Sequence, residues 1–122
     1  MKIKSGVNLY NYAKTIIPGG VTLFSKRSEL HLPKKWPAYF TKADKINIWD
    51  LKGNKYLDMF FAVGTSILGY NNYNINKSVV KNINKSNLTT LNCPEEVLLA
   101  KQIIQHHPWS SMAKFTRGGG EA

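Results

Sequence analysis

The chain has 122 residues, 43% of them hydrophobic, so it is long enough for one folded domain and too apolar for a disordered tail. A single cysteine, Cys93, excludes an internal disulfide and a cysteine-based zinc set. Seventeen Lys and Arg against seven Asp and Glu give a net charge of +10, which raises the alternative of a basic module that binds RNA or an anionic surface. The lysines are scattered, however: Lys34-Lys35 is the densest pair, and Arg27 and Arg117 are the only arginines available for bidentate readout. Met1 to Gly6 starts basic with no apolar core after it, so it is not a secretory signal, and no apolar run approaches membrane-spanning length. A cytoplasmic protein that binds neither nucleic acid nor membrane is expected.

In chain order, Leu9, Tyr12, Ala13, Ile16 and Ile17 fall on one helical face, with Ser5 able to cap the start and Pro18-Gly19-Gly20 closing the end. Residues 18–37 read as a long loop punctuated by Pro33 and Pro37, a length that marks it as a functional suspect. Three strand-like runs follow: Ala38 to Ala43, Lys45 to Trp49, and Lys55 to Met59, the last two joined by the turn Asp50 to Asn54. These predict a small antiparallel sheet. Phe60 to Tyr70 is an apolar connector with glycines.

Tyr73 to Lys85 puts Ile75, Val79, Val80 and Ile83 on one helical face, with Asn71, Asn72 and Asn74 as candidate caps. After a polar link over 86–93, Pro94-Glu95-Glu96 opens a second helix, which buries Val97, Ala100, Ile103 and Ile104 and stops at Pro108. Met112 to Phe115 reads as a strand that empties into Gly118-Gly119-Gly120, with Glu121-Ala122 starting a helix. A strand, glycines and a helix start leave backbone N–H groups pointing together, an arrangement that suits a phosphate.

The bland readings matter as much. Adjacent His106 and His107 diverge around a helix and suit its C-terminal turn better than a metal, Cys93 lacks a neighbouring base, and Asp50 and Asp58 belong to turn and strand formation. No metal site is expected. Trp36, Trp49 and Trp109 read as core or interface residues. Arg27, a lone arginine in the long loop, is held open as a contact to a substrate carboxylate or phosphate.

Taken in order, Ile17-Pro18-Gly19-Gly20-Val21, Ile48 to Asp58, Ile67-Leu68-Gly69-Tyr70, Pro94-Glu95-Glu96 with Leu99-Ala100, and Gly118 to Ala122 resemble the N-terminal part of class III pyridoxal-phosphate aminotransferases. The set looks most like the glutamate-1-semialdehyde 2,1-aminomutase group. Ser25-Lys26-Arg27, Trp36 to Tyr39, Thr90 to Glu96 and His107-Pro108-Trp109 look like a branch of aminomutase-like enzymes of surface-sugar pathways.

The resemblance implies an α/β chain of the fold type I class, with residues 1–70 as N-terminal helix, loop and small sheet and 71–122 as the truncated start of the large cofactor-binding domain. It implies a homodimer acting on a small amino or keto substrate. Gly118, Gly119 and Gly120 would hold the cofactor phosphate, although the family more usually carries hydroxyl residues at the places of Gly118 and Gly120. Leu23 and Lys26 stand where aminomutases have a serine and a substrate-binding arginine, with Ser25 and Arg27 close by, and Val63 stands near a family aromatic. Glutamate-1-semialdehyde and an amino or keto sugar therefore both stay open as substrate. The family's Schiff-base lysine lies beyond these residues, so no catalytic residue is assigned, and the chain alone is expected to be inactive.

Overall fold

The computed structural model describes residues 5–86 and 88–122. The basic start Met1 to Lys4, and Asn87 of the polar link, lie outside the described residues. The chain packs as two compact units, Met1–Lys77 and Ser78–Ala122.

In the first unit, α1 (Gly6–Ile16) begins at Ser5, whose hydroxyl accepts the Asn8 N–H at 3.4 Å. Its buried residues are Gly6, Tyr10 and Ala13, so the inward face is turned from the expected stripe, and Tyr12 and Ile16 are exposed. The reason is tertiary. Helix α1 approaches the chain at Pro37 so closely that a Cβ on Gly6 would lie 1.6 Å from the Pro37 carbonyl oxygen. Tyr10 packs against Gly20, where a Cβ would meet the ring edge at 2.9 Å. The loop over 18–37 is not featureless: two 3-10 turns, Phe24–Lys26 and Ser28–Leu30, are folded into it.

The expected sheet forms from β1 (Phe40–Asp44), β2 (Asn47–Asp50) and β3 (Lys55–Leu57), antiparallel and in that order. Asp44 pairs with Asn47, which makes Lys45-Ile46 a two-residue turn and shortens the second predicted strand at its start. Lys45 takes a φ of 52° there. The register slips between Phe40 and Lys42, and the Thr41 hydroxyl donates to the Trp49 and Asp50 carbonyls at 3.3 and 3.1 Å. Asp50 knots the second turn. Its carboxylate accepts the Lys52 and Asn54 amides, the Asn54 side-chain amide and the Tyr56 hydroxyl, all within 3.0 Å.

After β3 the connector folds back until Lys45 and Tyr70 exchange two backbone hydrogen bonds. Within it Phe61, Ala62 and Val63 have φ values of 45°, 50° and 60°, and Gly64 has 81°, one turn of left-handed backbone. L-residues resist that conformation by about 1–2 kcal/mol each. Helix α2 (Tyr73–Ile83) is capped by Asn72, whose side-chain oxygen accepts the Asn74 and Ile75 N–H groups.

In the second unit α3 (Pro94–His106) carries Pro at its first turn and Glu95 and Glu96 beside the positive end of its dipole. His107 closes it, its N–H donating to the Ile103 and Ile104 carbonyls, and its ring meets Trp109 edge-on at 4.7 Å.

Tyr10 and Ala13 are the buried hydrophobic residues among those described. The apolar face predicted for α2 is present but exposed, as is Val97 of α3, whereas Ala100, Ile103 and Ile104 are half-buried. An amphipathic stripe is buried only where another element covers it. Trp36 and Trp109 are likewise exposed, so of the core or interface reading the core half does not hold for either. Met112 to Phe115 is not a strand, and Glu121-Ala122 is a turn rather than a helix start. A strand exists through its ladder, and Met112 to Phe115 has no ladder partner among the described residues.

Candidate functional site

The glycine segment is built from Lys114 onward. Lys114, Phe115, Thr116, Arg117 and Glu121 line an open hollow of about 520 Å³. A backbone hydrogen bond from Glu121 N–H to the Gly118 carbonyl, at 3.0 Å, closes the turn across the three glycines. The Thr116 hydroxyl donates to the same carbonyl at 3.3 Å. The Glu121 carboxylate accepts the Arg117 N–H at 2.9 Å.

The N–H groups of Gly118, Gly119 and Gly120 meet no acceptor among the described residues, and all three residues are exposed. Three successive unengaged amides, following Lys114 and Arg117 in the chain, are of the kind that suits a phosphate. The glycines are not demanded by the chain itself. None has a left-handed φ, and a Cβ on any of them would meet nothing within 4 Å. Their openness leaves the amides accessible to solvent.

The candidate substrate residues belong to the first unit. Ser25 sits in the first 3-10 turn, exposed, with its carbonyl oxygen 3.0 Å from His31 Nε2. The Arg27 guanidinium lies 4.9 Å from the centre of the Phe24 ring and against Gly19, where a Cβ would come within 2.3 Å of a guanidinium nitrogen. Arg27 Nε and the hydroxyl of the buried Ser28 are without partners among the described residues. Beside them the Tyr10 hydroxyl donates to Glu29 at 2.6 Å, and Lys14 pairs with the same carboxylate at 3.3 Å. The hydrogen bond from Tyr10 holds the Glu29 carboxyl below its usual pKa, and the same bond raises the phenol. Arg27 is thus a held side chain with one buried donor to spare.

The glycines stand out in the sequence, whereas Glu121 and Thr116 do not. The separation of four residues between Arg117 and Glu121 is the signal that the sequence carries for that contact.

No family model matches the chain. Among curated proteins it is 34% identical over 122 residues to a glutamate-1-semialdehyde 2,1-aminomutase of Methanothrix thermoacetophila, covering all of this chain and 27% of that one. A protein of the same name from Methanosarcina acetivorans is 35% identical over 114 residues, covering 93% and 26%. Another, from Wigglesworthia glossinidia brevipalpis, is 34% identical over 118 residues, with the same coverage.

The chain is a relative of the glutamate-1-semialdehyde 2,1-aminomutases. It spans about a quarter of the length of the aminomutases it matches. The mixed helix and small antiparallel sheet agree with an α/β portion of such an enzyme. The relatives offer no support for a basic RNA-binding module. No helix among the described residues is long and apolar enough to cross a membrane.

Proposed function

We propose that residues 1–122 form the N-terminal part of a class III pyridoxal-phosphate enzyme of aminomutase or aminotransferase type, and supply the seat for the cofactor phosphate. Similarity to the aminomutases along the whole chain carries this reading, and the three unengaged glycine amides support it. Pyridoxal phosphate supplies an electron sink that eases bond breaking at the substrate carbon beside the nitrogen.

This chain's part is to bind and orient. The N–H groups of Gly118, Gly119 and Gly120 take phosphate oxygens, and Lys114 and Arg117 add positive charge on one side of the hollow. Thr116 is committed to the Gly118 carbonyl, so it shapes the turn. Ser25 and Arg27 are the proposed contacts to the substrate's acidic group, since Leu23 and Lys26 replace the serine and arginine of the aminomutases. The substrate class is glutamate-1-semialdehyde or an amino or keto sugar. The lysine that bonds the cofactor covalently is not among residues 1–122, so these residues alone hold the cofactor without turning over substrate.

Calorimetric titration of the chain with pyridoxal phosphate and with pyridoxal tests the seat. Binding that requires the phosphate is expected, and equal binding of both would remove the cradle. Borohydride trapping with peptide mass mapping tests the second point: stoichiometric modification of one lysine would overturn it.

A further inference from the structure

We propose that Glu121 is a built-in competitor for the phosphate seat, its carboxylate standing in for the anion until ligand displaces it. The proposal rests on the reading of Gly118 to Gly120 as that seat.

The geometry has three parts. The Glu121 N–H closes the turn onto the Gly118 carbonyl at 3.0 Å, which folds residue 121 back toward the residue before the glycines. Its side chain then places Oε2 2.9 Å from the Arg117 nitrogen, the amide immediately preceding the three free ones. The same side chain lines the hollow together with Lys114, Thr116 and Arg117. A carboxylate accepting a backbone N–H makes the same kind of charge-assisted bond that a phosphate oxygen would make.

The contact is not an ordinary helix cap. A capping box links residues three apart, whereas this bond spans four. Nor does the carboxylate have another partner to hold it, because no lysine or arginine pairs with Glu121 among the described residues. What it occupies is the edge of an amide row suited to anions. A phosphate arriving at Gly118 to Gly120 meets a like charge beside it, and the two exclude one another. Swinging Glu121 out frees the Arg117 N–H as a fourth donor in the row.

The test is a titration of the ¹⁵N-labelled 122-residue chain with inorganic phosphate, following the amide signals of Arg117, Gly118, Gly119 and Gly120, for the natural chain and for Glu121→Gln. In the natural chain phosphate shifts the glycine signals and moves the Arg117 signal with the same midpoint, as its carboxylate partner leaves. Glu121→Gln tightens phosphate by about two- to fivefold, the range expected for removing one exposed charged competitor. If the glycine signals respond with equal affinity in both proteins while Arg117 stays still, the seat stands and the competition is overturned. If no glycine signal responds in either, the seat itself fails, and the competition with it.

Discussion

The Tyr70 hydroxyl donates a short hydrogen bond to the carboxylate of Asp58, twelve residues earlier, and so staples the two ends of the connector together. The other oxygen of Asp58 accepts the Phe60 and Phe61 N–H groups at 2.8 and 3.2 Å. One carboxylate therefore starts the connector and fastens its end, beside the backbone pair between Lys45 and Tyr70.

Tyr70→Phe removes that staple while keeping the ring, which stacks with Phe61 at 6.2 Å. A loss of about 1.5–3 kcal/mol is expected, the usual effect of deleting a hydrogen bond to a charged group. Urea unfolding of both proteins measures it, and an unchanged midpoint would show that the staple is not felt.

The same pair predicts a pH dependence. Burial pushes the Tyr70 phenol up, and the Asp58 bond and charge add to it, reaching about 12. Burial also pushes Asp58 up, but the bonds from Tyr70 and the Phe60 and Phe61 amides outweigh it and hold the carboxyl below its usual range. The Tyr70 contribution is complete below the ordinary phenol value, near 10, and is lost as pH climbs toward 12. That of Asp58 is complete above the ordinary carboxyl value and is lost as acid protonates it. Tyr70→Phe is therefore expected to flatten the alkaline limb of the stability curve between about pH 10 and 12, read by thermal melts across pH.

The left-handed turn at Phe61, Ala62 and Val63 sets β-branched Val63 at a φ of 60°. Val63 is exposed, so little packing is lost on its removal. Val63→Gly trades strain for chain entropy, and for a branched side chain the strain outweighs the entropy. Stability is expected to rise by about 0.5–1 kcal/mol, seen as a higher melting temperature; a lower one would contradict it.

Gly6 offers the opposite case. In an open helix, Gly→Ala stabilises by about 1 kcal/mol. Here the new methyl would land 1.6 Å from the Pro37 carbonyl oxygen, a backbone atom that cannot step aside. The clash wins, and Gly6→Ala is expected to cost about 1–3 kcal/mol. Thermal melting checks the sign, and Gly53→Ala is a useful contrast, because its site is sterically open and its φ of 85° alone opposes the change.

At the proposed phosphate seat the open space around Gly118 and Gly120 predicts that Gly118→Ser and Gly120→Thr are accommodated without a clash. Each adds a hydroxyl donor beside the three glycine amides. Each is expected to tighten pyridoxal phosphate by about 1 kcal/mol, or about fivefold in Kd. Pyridoxal, lacking the phosphate, serves as the control that should not change.

Local interactions carried much of this architecture in plain view. Ser5 and Asn72 cap helices because a short side-chain oxygen reaches the next amides, and Pro94 with two glutamates suits a helix start through fixed φ and charge. Asp50 with Lys52 and Asn54 makes a turn from neighbours alone. The residues on α1 that face inward were settled instead by Pro37 and Gly20, both distant in sequence. Pairing of Asp44 with Asn47 set the strand limits, and closure of the connector at Tyr70 came with its left-handed turn. Met112 to Phe115 shows the same division: its composition favours an extended chain, but a strand also needs a neighbour to complete its hydrogen bonds. Periodicity and caps depend on atoms a few bonds apart, so the sequence alone determines them. Facing, register and the closure of the connector depend on where the backbone brings remote groups, which only the tertiary structure decides.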